Sequence, residues 1–369
     1  MKKRAALCLC LLGAWMLGPG AAESNAEKLE KDAANSPLRL VCEGYKNNNW
    51  DLFVIDASGG NIKNLTQTPD LHELYPKVSP DGTKIAFLMD IGEGRAKIRS
   101  VWVMDIDGEN RKKISDYARQ PFWSPDSKVL GYLPQEYKKF DARSLANKGI
   151  KFYTLATGET RAHPNSDKIS HLFNPGFSPD GKWIITTVHA GMGLNHGNLL
   201  IAADGEQIID LHIKGCRPDF NPNGQSVAWG KTDHEIHIAP FIDSDDAPRV
   251  GEDFFVIKDS VNKIYHVEWA PDGKTLALSR GPTSKGDLSK PGTVIHAAEA
   301  VGVYATGWNL IVVKVPEDGG ILDLQNPAEN GKWVQITEDG ASYKEPDWIP
   351  PKHEGLQCQR KKLFSAYSF

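Results

Sequence analysis

The apolar positions of this chain fall in short, continuous runs without a helical period. Runs rich in β-branched and aromatic residues recur, such as KIAFLM at 84–89, WIITTVH at 183–189 and TLALSR at 275–280. Turn residues separate them, and the whole chain holds 34 Gly and 23 Pro. Runs of this composition between turn residues predict β-strands and an all-β fold.

A turn phrase precedes most of these runs. It occurs six times, as YPKVSPDGTK (from 75), QPFWSPDSKV (120), NPGFSPDGKW (174), RPDFNPNGQS (217), HVEWAPDGKT (266) and EPDWIPPKHE (345). In SPDG, Pro presets the first turn dihedral, Asp bonds to nearby backbone, and Gly adopts the left-handed conformation. We therefore interpret the phrase as a turn former and not as a catalytic motif. Its spacing of 43 to 54 residues, with one longer gap of 79, is typical of a propeller or solenoid.

The strand count predicts a closed ring of blades. Each phrase leads into further strands, so that one repeat holds four antiparallel strands, as in a propeller blade. The N-terminal LRLVCEG lacks a first strand, and the C-terminal EPDWIP lacks a second. Pairing the two completes a sixth blade and removes open sheet edges. We predict a six-bladed β-propeller over residues 37–350, with residues 281–306 as a loop insertion rather than a seventh blade.

The repeated units follow the pattern xPxWSPDGKxIAF…IYxxDxxGG…LT and resemble the TolB-type, WD40-like propeller repeat over nearly all of residues 37–350. TolB is periplasmic and carries an α/β domain before its propeller, which this chain is expected to lack. The same repeat occurs in oligogalacturonate lyases, with a metal in the propeller centre, and in the propellers of prolyl-oligopeptidase-like peptidases. The resemblance therefore implies the fold and does not choose among these functions.

The beginning of the chain predicts export. MKKRAALCLCLLGAWMLGPGAA combines a basic start, an apolar stretch and small residues before a cleavage point. This pattern predicts a signal peptide over residues 1–22 and a periplasmic or secreted mature chain. We expect a disordered lead-in at 23–36, a C-terminal tail at 351–369 and no membrane span elsewhere.

Charge and cysteine usage narrow the possible partners. The formal net charge of −4 provides no basic field to attract nucleic acid. Beyond the signal peptide there are three cysteines, Cys42, Cys216 and Cys358, so at least one is unpaired. The pairing of Cys42 with Cys358 is left open. We expect a monomer.

The residue five positions before the second Pro of each phrase opens the innermost strand of its blade. These six residues, which we call the ring residues, should meet at the channel mouth, and all differ: Tyr75, Gln120, Asn174, Arg217, His266 and Glu345. Either they form a solvated rim, or they form a binding site of low symmetry in which Arg217, His266 and Glu345 are the charged or titratable members. Long loops at 134–150, 189–198 and 281–307 fall on the same face. We expect His189, His196 and Arg280 to contribute from loops, and 281–307 to cap the channel with helical stretches.

Two functions remain open on this basis. We predict a non-catalytic propeller that needs no cofactor and binds a protein partner at the cell envelope through the channel-mouth face. Neither a GxSxG nor an HExxH motif is present. The alternative is a metal-dependent polysaccharide lyase of the oligogalacturonate type. In that case His171, His189, His196 and His266 would approach a divalent ion such as Mn²⁺, and Arg217 would neutralise a uronate carboxylate.

Overall fold

The computed structural model describes residues 38–138, 146–244, 247–282 and 301–351. In these ranges the protein is all-β, and its strands form six sheets arranged as blades around a central channel. The predicted six-bladed propeller is confirmed. The predicted signal peptide at 1–22, the lead-in at 23–36, Cys358 and nearly all of the tail at 351–369 lie outside the described residues.

The first three blades contain four strands each. Strands are numbered along the chain, and within each blade they are given in order from the channel outward. Blade 1 consists of β26 (Ser342–Ile349), β1 (Arg39–Lys46), β2 (Asn49–Asp56) and β3 (Lys63–Asn64). Blade 2 consists of β4 (His72–Val78), β5 (Lys84–Ile91), β6 (Ile98–Asp105) and β7 (Lys112–Asp116). Blade 3 consists of β8 (Ala118–Trp123), β9 (Val129–Pro134), β10 (Lys151–Thr154) and β11 (Thr160–Ala162).

The other three blades follow the same order, with additions in blade 5. Blade 4 consists of β12 (Leu172–Phe177), β13 (Trp183–Gly191), β14 (Leu194–Ala202) and β15 (Ile208–Asp210). Blade 5 consists of β16 (Cys216–Phe220), β17 (Ser226–Thr232), β18 (Glu235–Ile242) and β20 (Phe255–Lys258), and β19 (Arg249–Val250) also pairs with β18. Blade 6 consists of β21 (Asn262–Trp269), β22 (Thr275–Pro282), β23 (Asn309–Lys314) and β25 (Trp333–Gln335).

The chain ends close the ring as predicted. Strand β26 pairs antiparallel with β1, from Arg39 opposite Ile349 to Tyr45 opposite Ser342. Blade 1 therefore takes its innermost strand from the C-terminal part of the chain and its other strands from the N-terminal part. This pairing covers the edge of β1 that would otherwise be open at the junction.

A strand that links two blades was not predicted from the sequence. Strand β24 (Gly320–Asp323) belongs to the loop between β23 and β25 of blade 6, yet it pairs in parallel with β20, the fourth strand of blade 5. Its four residues, GILD, carry no alternation that would mark them as a strand. The added strand ties two neighbouring blades together at their outer edges.

The repeated turns have the expected local chemistry. In blade 2, the Ser79 hydroxyl donates to Asp81 Oδ1 at 2.6 Å, and the same carboxylate accepts the Thr83 N–H at 3.0 Å. Gly82 adopts a φ of +71°. The Ser–Asp contact recurs in blade 3 between Ser124 and Asp126 at 2.7 Å. The interpretation of the phrase as a turn former is confirmed, because its polar side chains are bonded within the turn.

Tryptophans of the phrase join neighbouring blades. Trp123 donates its indole N–H to the Lys77 carbonyl at 2.8 Å, and Trp348 donates to the Glu268 carbonyl at 3.1 Å. Each indole therefore bonds to the innermost strand of the preceding blade while its ring packs in the apolar core.

Among the described residues there is no helix with the length and apolar character to cross a bilayer.

Candidate functional site

All six ring residues lie on the innermost strands in a left-handed backbone conformation. Their φ angles range from +46° at Gln120 to +57° at Arg217. In all six blades the pairing register shifts across the ring residue, because the innermost strand advances three residues there against two on its partner strand. A bulge of this kind redirects one side chain out of the strand pattern. Positive φ at six non-glycine residues is uncommon and is maintained only where the surrounding structure enforces it.

The ring is an interior layer of the channel rather than an open rim. Tyr75 and Gln120 are each 1% exposed, His266 is 3% exposed and Glu345 is 4% exposed. Asn174 and Arg217 are partly buried. The expected convergence of these residues is therefore observed, but most of the ring is shielded from bulk water. Buried polar groups require partners, so the contacts within the ring determine its charge.

One half of the ring is an ion-paired triad. Arg217 Nη1 lies 2.9 and 3.0 Å from the two carboxylate oxygens of Glu345, and His266 Nε2 lies 3.2 Å from Glu345 Oε1. Burial alone would lower the pKa of Arg217, but the Glu345 carboxylate holds that pKa above its ordinary value. These are the three residues predicted as the charged or titratable members of the ring.

The other half of the ring is neutral. Asn174 donates its amide N–H to the Tyr75 hydroxyl at 3.1 Å, and burial raises the pKa of Tyr75, so this phenol stays protonated. Tyr75 also donates its backbone N–H to the buried carboxylate of Glu43 at 3.1 Å. The Gln120 side-chain oxygen is buried and has no hydrogen-bond partner among the described residues. A buried amide oxygen in this state is ready to accept a bond from a ligand.

A second layer, which was not predicted from the sequence, lies two positions beyond each ring residue. This deep layer consists of Lys77, Phe122, Gly176, Asp219, Glu268 and Asp347, which together with four ring residues line a cavity of about 160 Å³. Three of its members are carboxylates and one is a lysine. The signal was available, because these residues stand three positions before the second Pro of each phrase.

The deep-layer carboxylates are held by backbone and by one ion pair. Asp219 accepts the Trp269 N–H at 2.9 Å, and Asp347 accepts the Val78 N–H at 2.6 Å, so each bonds to the next blade. Glu268 forms an ion pair with Lys77. Burial raises the pKa of Asp219 to about 6 and also raises the pKa of Asp347. The deep layer holds three carboxylates and one lysine, so it is negatively charged near neutral pH. This negative charge decreases in acid.

The predicted loop histidines pair with each other. His189 and His196 face each other across the β13–β14 hairpin, with their Nδ1 atoms 2.8 Å apart. Burial, followed by His196 and Arg217, lowers the pKa of His189 to about 4. His171 bonds instead to the Ala190 carbonyl at 2.8 Å. Within the described part of the chain, no three His, Cys, Asp or Glu side chains are grouped to hold a metal ion.

Arg280 lies away from the ring. Its Nε donates to Asp259 Oδ2 at 2.7 Å, and its guanidinium lies 5.2 Å from the centre of the Trp333 ring. Trp333 is on the fourth strand of blade 6, and Asp259 directly follows the fourth strand of blade 5. The structure therefore places Arg280 between the outer parts of two blades rather than at the channel.

The described end of the 281–307 insertion docks on blades 1 and 2. The Gly302 N–H points to Glu43 Oε1 at 3.4 Å, and the Val303 carbonyl accepts from Lys344 Nζ at 2.8 Å. The Tyr304 ring lies 4.2 Å from the Tyr45 ring. The chain leaves blade 6 after β22 and is next described beside the Tyr75 side of the ring. Residues 283–300, on which the predicted cap and helical stretches depend, lie outside the described residues.

Two curated peptidases match part of the chain in sequence. The chain is 28% identical over 141 residues to the uncharacterized peptidase YuxL of Bacillus subtilis, and 27% identical over 118 residues to dipeptidyl-peptidase 5 of Porphyromonas gingivalis. These matches cover 30% and 31% of this chain but only 21% and 16% of the peptidases. The chain thus matches about a fifth or less of each relative. No family model matches it.

The solved structure of TolB from Acinetobacter baumannii aligns with a TM-score of 0.54 at 16% identity, over 85% of this chain and 66% of the TolB chain. This chain has the TolB-like propeller fold. At this identity the likeness extends to the fold alone. The fold therefore does not identify the function of this chain. The residues of the ring and the deep layer are the basis for proposing one.

Proposed function

We propose that this TolB-like propeller is an exported, non-catalytic binding module that holds one basic anchor residue of a protein partner in its central channel. The observation that carries the proposal is the deep layer, in which three carboxylates and one lysine line a small cavity beneath a ring of six different side chains. Low symmetry suits recognition of one specific segment, whereas a purely structural repeat would tolerate one residue type at all six positions.

The size of the cavity supports a protein partner. Its volume of about 160 Å³ lies below the range of roughly 300–1,000 Å³ that is typical of sites for drug-sized ligands. A cavity of this size accommodates one side chain or a chain terminus. Protein interfaces commonly depend on a few anchor residues that fill such pockets.

The charge of the channel supports a basic anchor. The triad of Arg217, Glu345 and His266 is internally paired and so presents little net charge. Below it, Lys77 is engaged by Glu268, which leaves the carboxylates of Asp219 and Asp347 as the excess charge. A lysine, an arginine or an N-terminal ammonium group would be attracted to this layer. A segment that enters through the ring would also pass the buried Gln120 oxygen, which does not itself line the cavity.

Export and a place at the cell envelope belong to the same proposal. They rest on the signal-peptide pattern at 1–22 and on the TolB-like fold. The partial matches to peptidases are consistent with a shared propeller segment and give no support for peptidase activity in this chain.

A cross-linked pull-down from envelope extract tests the proposal. The propeller would be compared with an Asp219→Asn, Glu268→Gln variant, which removes deep-layer charge, and with an Asp204→Asn, Glu317→Gln control, which makes the same changes at exposed positions. We expect one protein to be captured by the native propeller and by the control but not by the channel variant. A short lysine peptide should compete for capture more strongly than a glutamate peptide. Equal capture by all three proteins would contradict the proposal.

A further inference from the structure

A second cavity, of about 250 Å³, lies between blades 1 and 2. It is formed by the β1–β2 hairpin, the start of β4, the end of β5 with the loop that follows, and the returning segment at 302–304. It opens on the face where the ring residues begin their strands, but the two cavities share no lining residue. It is therefore a separate site.

One wall of this cavity is aromatic. The Tyr304 ring lies 4.2 Å from the Tyr45 ring at an interplanar angle of 36°, and the Tyr45 ring lies 5.1 Å from the Trp50 ring. Trp50 is buried, whereas Tyr304 is 48% exposed. The three rings form a continuous surface from the interior to solvent. Such a surface offers flat apolar faces together with phenolic hydroxyls.

His72 supplies a hydrogen-bond donor at its Nε2 atom, because its Nδ1 atom acts as an acceptor. Its Nδ1 accepts the Trp50 backbone N–H at 3.3 Å. Burial, followed by the Lys97 charge, lowers the pKa of His72 and favours the neutral imidazole. In the neutral ring the proton must then lie on Nε2, which becomes a donor. Nε2 has no hydrogen-bond partner in the described part of the chain, and His72 lines the cavity.

The remaining polar groups provide both donors and acceptors. The Asp90 carboxylate is fixed by two bonds from Arg99, at 2.7 and 2.8 Å, and lies 3.7 Å from Lys97 Nζ. Asn48 stands at the β1–β2 turn with a φ of +62°, and its amide adds one donor group and one acceptor at the edge of the cavity. Polar groups of both kinds thus surround the aromatic wall.

We propose that this cavity binds a single pyranose unit of a carbohydrate. A pyranose presents C–H groups on its ring face, which pack against aromatic rings, and hydroxyls at its edge, which both donate and accept hydrogen bonds. The Tyr45–Trp50–Tyr304 wall matches the face, and His72, Asn48 and the Asp90–Lys97 pair match the edge. The cavity volume of about 250 Å³ lies just below the range of roughly 300–1,000 Å³ that is typical of drug-sized ligands. It therefore suits a smaller ligand, such as one sugar ring.

Saturation-transfer NMR with the full chain tests this site. The probes would be the methyl glycosides of glucose, galactose and N-acetylglucosamine, with adenosine as a planar aromatic comparison. Tyr304→Ala removes the exposed stacking face, whereas Tyr304→Phe keeps it. Tyr137→Ala is the matched control, because Tyr137 is similarly exposed but does not line the cavity. Asn48→Gly removes the edge amide, and Asn47→Gly makes the same change at the adjacent turn position, which also has positive φ.

We expect at least one glycoside to receive saturation from the protein. Its dissociation constant should rise at least about fivefold in Tyr304→Ala and should rise measurably in Asn48→Gly, with little change in Tyr304→Phe and in both controls. Three outcomes would overturn the inference: no glycoside binds, binding is unchanged in Tyr304→Ala, or adenosine binds more tightly than every glycoside through Tyr304. None of these outcomes bears on the channel, because the cavities share no lining residue.

Discussion

The ring and the deep layer lie next to each other on the innermost strands. Their charged side chains are bonded in different ways. In the ring, Arg217, Glu345 and His266 come from three blades and bond to one another through their side chains. In the deep layer, Asp219 and Asp347 bond to backbone N–H groups of the next blade, and these neutral donors do not cancel a carboxylate charge. The ring charges are therefore paired with one another, whereas the two deep-layer aspartates are not paired with a side-chain cation of their own among the described residues. On the proposed function, only the second arrangement would attract a cationic anchor.

The largest effect should come from breaking the ring triad. Glu345→Ala would leave the largely buried Arg217 without its carboxylate, and removing one partner of a buried ion pair typically costs about 3–5 kcal/mol. We expect a loss of this size in the free energy of unfolding, measured by urea denaturation. Adding Arg217→Ala should recover part of it, because the unpaired charge is then gone. A double variant whose loss equals the sum of the single losses would show that the two residues act independently.

A smaller, pH-dependent effect should come from the deep layer. Burial raises the pKa of Asp219 to about 6, so ionisation disfavours the folded state, and stability decreases as pH rises from about 4 through about 6. Asp219→Asn keeps an oxygen for the Trp269 N–H and removes this penalty. We expect the variant to be more stable than the native protein by about 1–2 kcal/mol at pH 7.5, with no gain at pH 4. A gain of the same size at both pH values would contradict the assignment.

The smallest effect should come from Gln120. Gln120→Met keeps the length of the side chain and removes a buried oxygen that lacks a partner among the described residues. We expect the free energy of unfolding to stay unchanged or to rise by up to about 1 kcal/mol, while capture of the partner weakens. Gln207→Met, at an exposed position, is the control and should affect neither quantity. A clear loss of stability in Gln120→Met would show that the amide already has a structural partner.

The repeat made the ring predictable but not its backbone conformation. Each ring residue occupies the same offset in the phrase, so the closed propeller had to bring Arg217, His266 and Glu345 together. Their positive φ angles leave little trace in composition, because no ring residue is a glycine and only Asn174 and His266 are of types enriched in the left-handed region. The following Pro, present in five of the six copies, was the only local hint, since it cannot donate a ladder hydrogen bond.

Contacts between blades were the part that the sequence could not supply. Arg280 was expected near the channel, but its partner Asp259 belongs to the preceding blade, and no local pattern links the two. Strand β24 was missed for the same reason, because its pairing partner β20 belongs to another blade. The deep layer was within reach of the sequence, since Asp219, Glu268 and Asp347 repeat an acidic residue at one offset in three consecutive copies.

The most direct test of the channel as the binding site is to fill it without altering its charges. A Cβ added at Gly176 would meet no atom within 4 Å, and this glycine lines the cavity. Gly176→Leu should therefore fold normally and obstruct the channel. Gly60→Leu is the control, at an exposed glycine with comparable space. We predict that, at an unchanged melting temperature, Gly176→Leu loses the cross-linked partner that both the native propeller and Gly60→Leu retain. Capture of that partner by a folded Gly176→Leu protein at the native level would contradict a binding site in the channel.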